Sequence, residues 1–98
     1  MEKDADDIRV ENNESEQRFQ IGSGEAVAFL QYELSDGGMA LTHTEVAPEL
    51  EGRGLAAKLA QAALEHARER GLKVVPACSF VATYIRRHPE YEPLVRET

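Results

Sequence analysis

At Gly54 the apolar residues of this chain change their repeat. Up to Val46 they fall in short alternating or fully apolar runs, as strands require. From Gly54 to Arg70 they fall on a helical stripe, with Leu55, Leu59, Ala63 and Ala67 in one row and Lys58, Gln61, Glu65, Arg68 and Glu69 opposite. The junction reads "PELEGRGLAAKL", Pro48 to Leu59, with Gly52 and Gly54 on either side of Arg53. Gly71 stops the helix as a C-terminal cap, and "LKVVP" follows as a short buried strand. Strand, helix and strand in succession require a parallel crossover between the two strands. That requirement limits the fold more than any other feature of the sequence.

The residues before the junction predict strands joined by tight turns. Ile8 and Val10 alternate with Arg9 and Glu11, and Asn12-Asn13-Glu14-Ser15 breaks the run. Phe19 and Ile21 then alternate with Arg18 and Gln20, so the segment reads as a hairpin. Gly22-Ser23-Gly24 turns the chain into "EAVAFLQYEL", read as a strand buried on much of both faces, and Ser35-Asp36-Gly37-Gly38 is a hairpin signal. "MALTHTEV" is the fourth strand, with Met39, Leu41, His43 and Glu45 expected on one side and Ala40, Thr42, Thr44 and Val46 on the other. Pro48 closes it. After "LKVVP", the run "CSFVATYIRRH" carries Val81, Tyr84, Ile85 and His88 at helical spacing until Pro89 ends it. The fold class is therefore α/β (α+β): a mixed, mostly antiparallel sheet of about five strands with a β-α-β crossover and two main helices. Residues 1–6 read as a frayed acidic tail and 7–98 as one domain, since 98 residues leave room for a single core.

Charge and cysteine content exclude several function classes. Eleven basic residues stand against 18 acidic ones, a net charge of -7, which disfavours nucleic acid as a partner. The bases gather from Arg53 onward, where a local field suits a small anionic ligand. The single cysteine, Cys78, forms no internal disulfide and no cysteine-built zinc site, and His43, His66 and His88 lack metal-ligand spacing. No apolar run approaches the roughly 20 residues of a bilayer span, and "MEKDADD" is not a secretion signal. The expectation is a cytoplasmic protein without metal or membrane partner.

Gly52 and Gly54 lie between a strand and a long helix, where unpaired backbone N–H groups and the helix dipole favour an anion and glycine permits close approach. A simple tight turn is the alternative. Cys78 follows a strand and opens a helix, a place where the dipole favours the thiolate; the alternative is an inert buried cysteine. His43 and Glu45 point from the fourth strand toward the loop, and either can deprotonate an amine or only satisfy neighbouring backbone.

Taken together, "HTEV", "GRGLA", "VVPACSFV" and "YIRRHPEY" resemble the Gcn5-related N-acetyltransferase superfamily, in its small stand-alone branch of about a hundred residues. The resemblance implies an acetyl-CoA-dependent transfer to an amine. It places the CoA pyrophosphate on the loop and helix start formed by Glu51, Gly52, Arg53, Gly54, Leu55 and Ala56, although Glu49 stands where the family has Gln or Arg. It also implies that a backbone N–H near Val46 polarises the thioester carbonyl, that Tyr84 reprotonates the CoA thiolate, and that Arg87, with Arg86, meets CoA phosphates. The helices that wall the acceptor site in longer members are missing, because Asn12 to Ser15 is only a turn. A CoA-binding or acyl-CoA-sensing module with little catalysis is the alternative function.

Overall fold

A computed structural model describes residues 9–23 and 26–96. The order is β1 (Glu11–Asn13), β2 (Arg18–Ser23), β3 (Ala26–Ser35), β4 (Gly38–Val46), a 3-10 turn at Pro48–Leu50, α1 (Leu55–Arg70), β5 (Lys73–Pro76), α2 (Ser79–Arg87) and a 3-10 helix at Pro89–Leu94. One sheet takes the strands in sequence order, the first four antiparallel and β5 parallel to β4, as the strand-helix-strand segment demands. The expected acidic tail, Ile8 and Gly24 lie outside the described residues.

Two expectations about the early strands need correction. The first strand begins later than the Ile8–Val10 alternation suggests and includes Asn12 and Asn13, which the sequence assigns to the turn. Asn13 explains the shift: its side chain donates to Gln20 Oε1 at 3.0 Å and accepts from the Ser15 hydroxyl and the Glu16 N–H. One asparagine thus ends the strand and organises the turn after it. The third strand is covered on one face only. Ala28, Leu30 and Tyr32 are buried, while Gln31 and Glu33 on the other face are exposed.

The largest departure is in β4. Gln31 pairs with His43 but Tyr32 pairs with Leu41, so Thr42 is an extra residue, a β-bulge. A one-residue insertion reverses which face the following side chains take. Met39 and Leu41 therefore join the core, whereas His43 and Glu45 turn to the opposite face, and the expected shared face of all four does not exist.

Helix α1 forms because alanine and leucine dominate its buried stripe: Leu55, Leu59, Ala60, Ala63, Leu64 and Ala67 are all buried. The small alanines let it lie closely on β2 to β5, and each fully buried leucine contributes about 2 kcal/mol. Gly71 (φ 70°, ψ 27°) ends the helix. Its N–H reaches Arg68 O and the Leu72 N–H reaches Ala67 O, a Schellman cap. Val81 and Ile85 of α2 and Tyr91 beyond it complete the same core. The helices lie on one side of the sheet, and the face carrying Phe29, Gln31, His43 and Glu45 has no helix on it among the described residues.

Candidate functional site

Strand β5 pairs with β4 only from Gly38 to Leu41 and stops at Pro76, where the chain leaves for α2. From Thr42 to Val46, β4 has no strand on that side among the described residues. Its hydrogen bonds show which groups are left free. The Ala47 N–H donates to Val27 O at 3.0 Å, so by antiparallel alternation Glu45 and His43 also bond to β3, while Thr44 and Val46 aim their N–H and C=O away from it. A short cleft results, with the free edge of β4 on one side and the start of α2 on the other.

Cys78 stands in that cleft. It is the N-cap of α2, in extended conformation (φ -88°, ψ 129°), and its own N–H donates to Leu41 O at 2.8 Å, closing the last contact between the diverging strands. Its sulfur lies 3.2 Å from Thr44 Oγ1. Burial alone pushes the thiol pKa up, but hydrogen bonds from the Thr44 hydroxyl and from the backbone N–H groups of Val81, Phe80 and Thr44 outweigh it and hold the pKa below the ordinary value. Two amides of the first turn of α2 and one from β4 therefore converge on the sulfur. The sequence indicates the helix start, but Thr44 is not legible as a partner, because only the bulge at Thr42 turns it to this side.

On the opposite face, His43 Nε2 and Glu45 Oε2 are 3.5 Å apart, their side chains 53% and 65% exposed. At this edge Cys78 and Thr44 lie on the helix side of the sheet, and Glu45 and His43 on the open side. His43 also packs against Phe29 in a tilted arrangement, at a centroid distance of 6.1 Å.

The loop before α1 has the left-handed backbone that glycine permits. Gly52 has φ 83° and Gly54 φ 72°, and a Cβ added to either meets nothing within 4 Å. Backbone conformation, not lack of space, accounts for these glycines. Gly54 is the N-cap of α1, yet no side chain caps the helix and no acid stands in its first turn. The N–H groups at Leu55 and Ala56 thus face the loop without a side-chain acceptor, flanked by exposed Arg53 and Lys58. Glu51 and Glu49 are exposed on the chain leading in.

Tyr84 lies on α2, the helix that Cys78 opens. Its ring stacks on His88 at 4.0 Å and on Tyr91 at 6.2 Å, and burial, then Glu90 and Glu65, raise its phenol pKa. Tyr91 donates to Glu65 Oε2 at 2.6 Å; burial and that bond push its pKa up to about 12. This aromatic cluster ties α2 to α1, and among the described residues no hydrogen bond links the Tyr84 phenol to Cys78. Arg86 and Arg87 occupy the last turn of α2, at the far end from Cys78, where their charge complements the helix dipole.

A cavity of 560 Å³ opens at the other end of α1, between the β1–β2 and β3–β4 turns, lined by Asn12, Tyr32, Leu34, Asp36, His66 and Arg70 among others. It takes in none of the residues that bear on acyl chemistry. The cleft at β4, with converging donors and a perturbed thiol, is the better candidate. Among the described residues no three His, Cys, Asp or Glu side chains gather as a metal site, and no helix is long and apolar enough to cross a membrane.

The chain thus combines a parallel strand-helix-strand unit whose strands part with an uncapped, glycine-led helix start beside the parting. The family model described as GCN5-related N-acetyl-transferase matches residues 18–94. The chain is 31% identical over 85 residues to Protein NATD1 of Xenopus tropicalis, covering 84% of this chain and 78% of that protein. It is 32% identical to Protein NATD1 of Mus musculus over 84% of this chain and 77% of the relative. The NMR solution structure of a GCN5-like protein from Staphylococcus aureus superposes with a TM-score of 0.72 at 32% identity, covering 92% of this chain and 89% of that one. The chain belongs to the GCN5-related N-acetyltransferase family, as a small member with a mixed five-stranded sheet.

Proposed function

We propose that this protein transfers the acetyl group of acetyl-CoA directly to an amine, at the edge of β4 between Thr44 and Val46. The observation that carries this reading is the early end of β5 at Pro76, which leaves the Val46 N–H aimed into a cleft beside Cys78, whose sulfur the Thr44 N–H already meets. In that position the Val46 N–H is a hydrogen-bond donor for the thioester carbonyl, whose oxygen gains charge as the amine adds. The pyrophosphate finds uncapped amides across Gly52 to Ala56 and positive charge at Arg53 and Lys58, so the loop suits the anion by backbone rather than by a residue at Glu49.

The amine attacks the carbonyl carbon, the carbon–sulfur bond breaks, and one proton must pass from nitrogen to the departing sulfur. Glu45, paired with His43 on the open face, is the acceptor for that proton, which reaches the thiolate by way of Glu45 or solvent. Cys78 borders the same cleft on the helix side, its thiol pKa held below the ordinary value by the Thr44 hydroxyl and the amides that meet its sulfur.

Intact-protein mass spectrometry after incubation with acetyl-CoA, alongside measurement of free thiol release, tests the reading. The expected result is thiol release that depends on an added amine and falls by at least tenfold in Glu45→Gln, in keeping with general-base contributions of about 10²–10⁴. Cys78→Ala then separates the routes: loss of an acetyl adduct on the protein marks a covalent relay, whereas turnover without any adduct marks direct transfer. Binding of acetyl-CoA with no thiol release for any amine would replace the transferase by a CoA-binding module.

A further inference from the structure

Resting on the transferase reading above, we infer that the acceptor amine is carried on a polypeptide with basic neighbours, which docks on the helix-free face of the sheet. Strand register places two rows of side chains across this face: Glu11, Gln20, Phe29 and Glu45 in one, Asn13, Arg18, Gln31 and His43 in the next. Glu33 stands beside them, opposite Ala40. Arg18 is already engaged, with Nε donating to Gln20 Oε1 at 2.9 Å and its guanidinium 4.7 Å above the Phe29 ring. The carboxylates of Glu11, Glu33 and Glu45 are all exposed, so among the described residues the face carries three acidic side chains around a half-buried aromatic ring, with Glu45 beside His43.

Small-molecule sites enclose most of the ligand surface in a concavity. Here His43 and Glu45, the groups on the open face beside the free edge of β4, are more than half exposed, so a free amine on that face would be held from one side only. A polypeptide supplies the missing cover itself, and basic residues beside its reactive lysine match Glu33 and Glu11 while the amine reaches Glu45. Rim charges of this kind set encounter rate and partner choice.

The test compares acetyl-CoA turnover of the full chain on three acceptors: a lysine peptide flanked by Arg and Lys, the same peptide flanked by Glu, and spermidine. The expected order places the basic peptide at least tenfold above both others in kcat/KM, with an advantage that shrinks as salt rises. Glu33→Lys is expected to cost the basic peptide about tenfold, through KM, by reversing one rim charge. Its acetyl-CoA affinity and its turnover of spermidine should not fall. Equal or faster turnover of spermidine, indifference to the flanking charges, or an unchanged KM in Glu33→Lys overturns the inference while leaving the transferase intact. Thiol release with none of the three, despite acetyl-CoA binding, overturns the transferase reading itself and this inference with it.

Discussion

Glycine stands at both ends of α1 in nearly the same conformation, φ 72°, ψ 23° at Gly54 and φ 70°, ψ 27° at Gly71, and the two have opposite effects. At the C-terminal end the left-handed residue folds the chain back on the helix, and the carbonyls of Ala67 and Arg68 receive the next two N–H groups. At the N-terminal end the same conformation brings no side chain to the first amides, which stay open toward the loop. Backbone geometry alone does not make a site. What distinguishes the ends is which groups the turn leaves unpaired, carbonyls that the chain itself can satisfy or amides that it cannot reach.

Substitutions at the two glycines break that comparison if it is wrong. The largest effect is expected from Gly54→Asp, which places a carboxylate against the open amides. Titration calorimetry should show acetyl-CoA binding weakened by tenfold or more, from self-capping and charge repulsion worth about 1–2 kcal/mol. Unchanged affinity would mean that these amides hold no phosphate. Gly71→Ala comes next: a left-handed residue with a Cβ should cost about 1 kcal/mol, lowering the melting temperature by about 4–8 °C with acetyl-CoA affinity intact. A loss of affinity there would show that the ends are not separable.

Thr44→Val gives the smallest and most local effect, by removing one hydroxyl from the Cys78 sulfur. That hydroxyl is the largest of the influences lowering the thiol pKa, so its loss should move the pKa upward. The thiolate then forms only at higher pH. The rate of alkylation by iodoacetamide, followed against pH, should therefore rise later in the variant than in the wild type. Coincident profiles would show that Thr44 does not tune the thiol.

How far the sequence reaches depends on whether a feature is local. The change of period at Gly54, the Asp36-Gly37 hairpin with φ 52° and 75°, the stop at Gly71 and the parallel β5 all follow from residues close together, and all are found. The bulge at Thr42 is different. No residue there announces it, so alternation carried through position 42 puts His43 and Glu45 on the wrong face. The partners of Cys78 are hidden for the same reason. Its place at the start of α2 is local, whereas its contact with Thr44 spans 34 residues of sequence and depends on the bulge. The aromatic stack of Tyr84 on His88 has the i, i+4 spacing of a helix face. The bond between Tyr91 and Glu65 needs the packed 3-10 helix at Pro89–Leu94, which periodicity does not indicate.

The most direct test of the account is a titration of the isotope-labelled protein with acetyl-CoA, followed by amide chemical shifts. The cleft and the uncapped helix start predict the largest changes at Thr44, Val46, Cys78 and Gly52 to Ala56, with little change at Asn12, Asp36, His66 and Arg70. Changes centred on those last four residues, at the capped end of α1, would contradict it.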